Sequence, residues 1–484
     1  MSSPGQMGAR AASPPLAVDL DGTVLKTDVL FEGLAAALAR ARWLLILAPL
    51  IALLFGRPLL KRLVARACPL NPAALPYRED LIAWLQAEKA RGRAIWLATA
   101  AARAPAEAVA AHLGFFDGVL SSEGRLNLKG AAKARALAAA LPEGFVYVGD
   151  SAADLAVWRH AAGAVLVDAS PSVEARARAL GAPIEQRFAR AGGGFKTWLR
   201  ALRAQHWLKN TLVFAAIPAA HVYGDPHAWA MAGLGFVLLN VIASSSYLLN
   251  DLVDLGADRA HAEKRRRPFA AGDLPLSAGL ALAPAGLALG LAAAFALSAG
   301  FGWFAALYVA LTLAYSFALK RAAFLDVLVL GALFTLRVMM GAALIGVAVS
   351  PFLALFSMFL FTSLALAKRH AELLAKAAEG RREAPGRGYR VDDRGLTAFA
   401  GAFAGVSAIV LLVLYIHDET AMAAFTQPLW LWVLPLAMLA WLTRIWLLCR
   451  RGQLTEDPLL FAAHDRWSWA LGALIVLDYA LAVL

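Results

Sequence analysis

Apolar and polar positions follow two different patterns along this 484-residue chain, and the change falls near residue 205. Before it, short apolar runs end in polar loops: LAVDLDGT, AIWLATA, FVYVGDS and AVLVDAS. Such runs read as strands buried on both faces, and the Ala-rich stretches between them as helices. The pattern predicts a doubly wound α/β domain over residues 16–190, with its chemistry at the carboxyl ends of the strands. After residue 205 the charges vanish for long stretches. No Asp, Glu, Lys or Arg occurs in 226–250, 274–319, 338–367, 396–417 or 421–443. A spanning helix needs about 20 apolar residues, so 274–319 holds two. About nine spans are expected, near 208–221, 228–249, 277–297, 301–319, 324–346, 350–367, 396–416, 427–447 and 467–484, making 208–484 an all-α polytopic membrane domain.

Three stretches fall outside this scheme. Residues 1–15 read as a disordered tail with no apolar signal-peptide core. Residues 191–207 open on Gly192, Gly193 and Gly194 and continue as FKTWLRALRAQHW, a linker and an amphipathic helix suited to the membrane interface. WLLILAPLIALLFG at 43–56 is apolar but only 14 residues long, too short to span and expected to be buried or interfacial.

Composition agrees with the pattern. The chain is 60% hydrophobic and 17% charged, with mean hydropathy +0.62. Soluble chains average roughly 45–50% and about 25%. Two cysteines are too few for a disulfide framework. The net charge of +12 does not imply nucleic acid, because its location explains it. The loops HVYGDPH, SAGFG, GVAVSP and HDETAMAAFTQ hold no Lys or Arg. The alternate loops hold Arg259, 264–267, Lys320, Arg321, Lys368, Arg369, Arg381, Arg382, Arg450 and Arg451. Basic loops stay on the cytoplasmic side. A multi-pass protein of the bacterial inner (cytoplasmic) membrane is expected, with its N-terminal domain in the cytoplasm and, for nine spans, Leu484 outside.

Four polar elements punctuate the first domain in order: DLDGT with Asp19 and Asp21, Thr99 closing AIWLAT, Lys129 in LNLKG, and GDSAAD with Asp150 and Asp154. Together, over about 16–185, they resemble the haloacid dehalogenase superfamily of phosphatases. The residue types suit phosphoryl chemistry. Asp19 is a carboxylate nucleophile at a strand end, and Asp21, two residues on, can carry the leaving-group proton. Asp19, Asp150 and Asp154 can hold Mg²⁺. Thr99 and Lys129 can hold phosphate oxygens. This superfamily inserts a substrate-selecting cap between its first two motifs, here about 27–78, which carries the apolar 43–56 stretch.

In the membrane domain the informative stretch is 250–272, NDLVDLGADRAHAEKRRRPFAAG. Asp251, Asp254 and Asp258 at i, i+3 and i+7 share one helix face. Three carboxylates there call for cations, and Mg²⁺ bridging to a diphosphate supplies them. Lys264 and Arg267 suit phosphate oxygens. NDxxDxxxD followed by KxxRP resembles the UbiA superfamily of intramembrane prenyltransferases, over about 200–484. Most members use a second aspartate-rich loop. Here that loop begins with Lys368 and Arg369, and its Asp392–Asp393 pair lacks DxxxD spacing. WLKN at 207–210, the 250–268 motif, YSFALKRAAFLDV at 315–327, AKRHAEL at 367–373 and DPLLFAAHDR at 457–466 resemble the decaprenyl-phosphate phosphoribosyltransferase branch. That branch joins phosphoribosyl diphosphate to a polyprenyl phosphate.

The resemblance implies a bifunctional enzyme. The membrane domain would move 5-phosphoribose onto a polyprenyl phosphate, and the first domain would remove the 5-phosphate. Lys209, Asn210, Asn250, Lys264, Arg267, Tyr315, Lys320, Arg337, Lys368 and Arg369 are the expected substrate and phosphate contacts. Asp326 is expected to join this site, and Asp478 has no assigned role. Two rivals remain: prenylation of an aromatic acceptor, and a first domain that only docks or hydrolyses an unrelated phosphate. A transporter fits the cytoplasmic acidic motif poorly.

Overall fold

The computed structural model describes residues 13–40, 48–123, 127–189, 193–348, 350–380, 388–423, 425–454 and 457–484. The stretch 1–12, the first part of 43–56, Gly192, Arg381 and Arg382 lie outside the described residues. The chain forms two compact units, one of Met1–Leu202 with Tyr247–Ala283 and one of Arg203–Ser246 with Pro284–Leu484.

In the first unit, six parallel strands lie in the order β3-β2-β1-β4-β5-β6: β1 Leu16–Val18, β2 Ile95–Ala102, β3 Gly118–Ser122, β4 Val146–Gly149, β5 Gly163–Val167 and β6 Ile184–Phe188. Helices α1 Val29–Ala39, α2 Ala48–Phe55, α3 Arg57–Ala67, α4 Glu79–Ala90, α5 Arg103–Leu113, α6 Ala131–Ala140, α7 Leu155–Trp158 and α8 Pro171–Ala179 connect them. Alternation decides the layers. Leu16 and Val18 of β1 enter a core with Leu97, Val146 and Val165, while Ala17 between them enters the opposite core with Tyr147, Trp158 and Leu166. A sheet buried on both faces needs apolar residues at every position, and β1, β4 and β5 have them. The strand order reverses at β1, so the carboxyl ends of β1 and β4 form the crevice where ligands bind in such sheets. Strand β2 continues three residues beyond Thr99, which is therefore internal to it.

Eight helices are long and apolar enough to cross a membrane: Pro226–Val253, Leu276–Leu297, Ala299–Phe317, Leu325–Leu344, Pro351–Ala378, Val391–Ile416, Pro428–Arg450 and Arg466–Val483, among the described residues. The first expected span, 208–221, is not one of them. It is the 3₁₀ run Ala204–Ala215 followed by the short helix Ala216–Ala219. A 3₁₀ helix rises ~2.0 Å per residue against ~1.5 Å in an α-helix, so fewer residues reach as far. The expected interfacial helix also stops early, at Ala201, because Arg203 adopts φ +54. Pro284 lies inside a helix, whereas Pro351 starts one, where its missing N–H is no loss. Ser298 divides the long 274–319 run by capping Phe301 N. The spans expose Leu289, Trp303, Phe399 and Leu436, which suit a lipid surround.

Candidate active sites

Asp19 follows β1 and Asp150 follows β4, so the parallel pairing of these strands sets them side by side. The 3₁₀ turn Ala152–Asp154 then returns Asp154 to the same place. One carboxylate oxygen from each of the three lies within 4.8 Å of the others. Among the described residues, no other His, Cys, Asp or Glu trio converges this closely. Two glycines permit it. A Cβ on Gly22 (φ +78) would lie 2.5 Å from the Asp150 carboxylate, and one on Gly149 would lie 2.9 Å from that of Asp154. Asp154 is fixed by Tyr147 Oη (3.0 Å), Ser151 Oγ (3.0 Å) and Ser151 N (3.0 Å), all donating to its oxygens.

One cation opposes the trio. Lys133 Nζ, almost wholly buried on α6, sits 2.9 Å from Asp19 Oδ1 and donates to Tyr147 Oη at 2.8 Å. Burial raises the Asp19 carboxyl, and Lys133 pulls against it. Burial and then the Asp154 and Asp19 charges push Asp150 up to about 8. A hard divalent ion with oxygen ligands matches this surplus of buried carboxylate. Asp21, two residues beyond Asp19, accepts from Val29 N at the start of α1 (2.9 Å). Burial, then Asp28 and Asp19, push it up to about 8.

Thr99 is fully buried, its hydroxyl accepting from Ala101 N at 2.9 Å. Lys129, the expected phosphate contact, is exposed just before α6, and it is Lys133 that reaches Asp19. The signal for Lys133 was its place on the helix face of Leu137, four residues on, where a buried lysine needs an acidic partner. Lys61 on α3 also went unremarked. It donates to Ala100 O at 2.6 Å, beside Thr99, and its ammonium is destabilised by burial while Asp21 and Asp28 favour it.

The acidic motif of the second expected site lies in the same unit, at the end of Pro226–Val253. The helix breaks at Asp254 and resumes as Leu255–Ala260, but the bonds Asp254 N→Asn250 O (2.9 Å) and Asp258 N→Asp254 O (2.8 Å) bridge the break. Asp251 and Asp258 therefore stay on one face. Arg267 Nη1 spans them, 3.2 Å from Asp251 Oδ1 and 2.7 Å from Asp258 Oδ2. Burial raises the Asp258 carboxyl, with Arg267 opposing. Asn250 and Asp254 are half-buried, and Lys264 is exposed on its own 3₁₀ turn. Next to Asp258, Arg259 turns to α1. It donates to both oxygens of Glu32 (2.8 and 2.6 Å) and to Ala270 O (3.1 Å), while Thr27 Oγ1 donates to Glu32 (2.6 Å).

The second unit holds the basic candidates. Lys209 Nζ (2.7 Å) and Lys368 Nζ (3.4 Å) meet at one carboxylate oxygen of Asp457, a residue sequence reading had left without a role. Burial raises Asp457, but the two lysines outweigh it and bring it to about 2. Arg337 does not present its donors to an open position. It donates to Asn210 Oδ1 (2.8 Å), Tyr308 Oη (3.1 Å) and Leu333 O, and Asn210 in turn donates to Asn240 Oδ1 (2.6 Å). Arg369 is likewise enclosed, 2.9 Å from Asp326, which also accepts from Tyr389 Oη at 2.6 Å. Asp326 thus belongs to this buried pair. Tyr315 and Lys320 are half-buried near the helix end at Phe317. Asp393 accepts from Arg390 N (2.7 Å), closing the cap of the 3₁₀ turn Val391–Asp393.

Comparison with known proteins accords with both halves. The model of the UbiA prenyltransferase family matches residues 211–469, and that of the haloacid dehalogenase-like hydrolases matches 16–159. An uncharacterized protein, y4nM, of Sinorhizobium fredii is 42% identical over 97% of this chain and 91% of its own length. The nodulation protein NoeC of Azorhizobium caulinodans is 34% identical over 56% of this chain and 88% of its own. A decaprenyl-phosphate phosphoribosyltransferase of Mycolicibacterium smegmatis is 36% identical over 36% of this chain and 56% of its own. The chain is a multi-pass membrane protein of the UbiA prenyltransferase family, carrying a haloacid dehalogenase-like hydrolase domain ahead of its membrane spans.

Proposed function

We propose that the chain transfers 5-phosphoribose from phosphoribosyl diphosphate to a polyprenyl phosphate and then removes the 5-phosphate. The observation that carries this reading is the pair of lysines, Lys209 and Lys368, on the single carboxylate of Asp457. Two ammonium groups on one carboxylate leave positive charge for a phosphate, as two anionic substrates require and a neutral aromatic acceptor does not. The partial similarity to a decaprenyl-phosphate phosphoribosyltransferase points the same way.

In the acidic motif, Asp251, Asp254 and Asp258 would hold Mg²⁺, which supplies charge to a departing diphosphate. Lys264 and Arg267 would bind its oxygens. Lys209 and Lys368, with Lys320, would hold the lipid phosphate. Arg337 and Arg369 act as anchors, fixing Asn210 and Tyr389. In the sheet site, Asp19, Asp150 and Asp154 would hold the second Mg²⁺. Asp19 attacks phosphorus, Thr99 and Lys129 hold phosphate oxygens, and Lys133 favours the charged form of Asp19 against its burial. Asp21, with its proton held to about pH 8, donates to the leaving sugar hydroxyl and takes a proton back from the hydrolytic water. Both sites would face the cytoplasm of a bacterial inner membrane. Purified protein given labelled phosphoribosyl diphosphate and polyprenyl phosphate in lipid should yield polyprenyl-phosphoribose and free phosphate. Transfer of a prenyl group to 4-hydroxybenzoate instead would overturn the reading.

A further inference from the structure

The insertion between β1 and β2 carries an apolar surface that the domain itself leaves uncovered. Helix α2 exposes Leu53 (81%), Leu54 (63%) and Phe55 (66%) in succession. These sit at the tip of a hairpin that Gly56 (φ +80) turns into α3. Behind the tip, α3 exposes Arg57, Arg62 and Arg66, and residues 48–67 contain no acidic residue. An apolar tip backed by arginines matches a bilayer with anionic headgroups: leucines enter the acyl boundary and arginines meet the phosphates. Position supports the same partner. Helix α1, which precedes the hairpin and packs on α3 through Leu30, Leu34 and Val64, places Phe31 and Ala35 in one core with Leu248, Leu252, Leu274 and Leu276. Leu248 and Leu252 lie in the last turns of one membrane span, Leu276 opens the next and Leu274 just precedes it, so the cap is anchored at the level of the bilayer surface.

We propose that the α2–α3 hairpin rests in the membrane interface and presents the sheet site to phosphates carried on lipid. The route is a narrow groove of about 100 Å³, which starts at Asp21 and Lys61 and continues between apolar residues of α1, α3, α5 and the loop after α3, among them Leu30, Val64, Leu70 and Ala108. One end is charged and fits a phosphate; the rest fits hydrocarbon. Lys61 is the cap residue that meets the incoming phosphate. The docking half of the proposal stands without hydrolysis, whereas the presentation half rests on the phosphatase reading.

The test uses the full chain in nanodiscs of phosphatidylethanolamine and phosphatidylglycerol. A polarity-sensitive dye on Leu54→Cys should emit as in an apolar medium and be quenched by spin-labelled lipid, while the same dye on exposed Arg135→Cys should not; the native Cys68 and Cys449 are buried and stay unlabelled. Water-like emission at both positions overturns docking. So does a dye at position 54 that is shielded yet unquenched by lipid, which would mean a protein partner. For presentation, Leu53→Glu with Leu54→Glu alters only exposed side chains. It should raise KM for polyprenyl-linked ribose 5-phosphate about tenfold and leave kcat/KM for soluble ribose 5-phosphate unchanged. Equal loss on both esters, or loss on neither, overturns presentation. If wild type releases phosphate from neither ester while position 54 is quenched, the phosphatase reading fails and docking stands.

Discussion

The carboxylates at the sheet edge and those at the end of Pro226–Val253 are both met by a basic side chain, Lys133 and Arg267, yet their backbones impose different spacings. Asp19 and Asp150 come from neighbouring strands, ~4.8 Å apart by the geometry of any sheet, and Asp154 is folded back onto them. Three acids thus converge on one point with one lysine between them. Asp251, Asp254 and Asp258 come from successive turns of one helical path, each turn rising ~5.4 Å. Two such turns separate Asp251 from Asp258 and admit the Arg267 guanidinium between them. A sheet edge can therefore preassemble a metal cage whose charge is unbalanced without its ion. A helix end spreads its acids far enough apart for a cation of the protein to bridge two of them until substrate arrives.

The largest expected effect separates the two clusters outright. Asp19→Asn keeps the size of the side chain but removes the nucleophile, so phosphate release should fall by about 10⁴-fold or more while transfer continues. Mass analysis should show a lipid heavier by one phosphate than the wild-type product. If wild type also stops at the phosphorylated lipid, the sheet cluster serves another substrate. Next in size, Glu32→Ala leaves Arg259 buried without its counter-charge, and breaking such a pair costs about 3–5 kcal/mol. Thermal unfolding in detergent should shift down by several degrees, and an unchanged melting temperature would remove this pair from the architecture. Asp254→Asn, the least buried member of the helical cluster, should slow transfer about 100-fold or more, since such metal contacts contribute several kcal/mol and ~1.36 kcal/mol is a factor of ten. Phosphate release from supplied phosphorylated lipid should be unaffected; parallel loss of both steps would make the two clusters one system. Smallest is a yes-or-no reading of sidedness. In intact cells a membrane-impermeant thiol reagent should label Glu419→Cys and spare Glu263→Cys, and the reverse would put both clusters on the wrong face.

Much of this was legible because strand ends and helix periodicity are local. Asp19 and Asp150 could be placed together from the sequence, since each follows an apolar run with the character of a buried strand, and Asp154 lies only four residues beyond Asp150. The face shared by Asp251 and Asp258 followed from their spacing alone and survived a break at Asp254. What was not legible depends on distant partners. Nothing local tells that Arg369 pairs with Asp326, 43 residues earlier, or that Arg337 is consumed by Asn210, 127 residues earlier. Both look like available cations in a sequence and are enclosed in the fold. Lys129 and Lys133 lie four residues apart, and only packing against Tyr147 decides which one meets Asp19. The segment 208–221 is apolar enough to pass for an ordinary span, but hydrophobicity does not separate a 3₁₀ run from an α-helix.

The Glu32–Arg259 pair has a consequence for how such a gene can change. Arg259 sits one residue from Asp258 in the motif expected to run the transfer, and Glu32 sits on the first helix after the DLDGT loop. Each is largely buried and each finds its counter-charge in the other half of the chain, with the apolar patch of Phe31 and Ala35 beside them. Splitting the gene at the Gly193–Gly194 link would strand a guanidinium on one product and a carboxylate on the other, and would wet an apolar face on both. The halves are thus bound as matched parts: a lineage that swapped in a foreign phosphatase would first have to neutralise Arg259, and a transferase living alone should carry something other than arginine at that position.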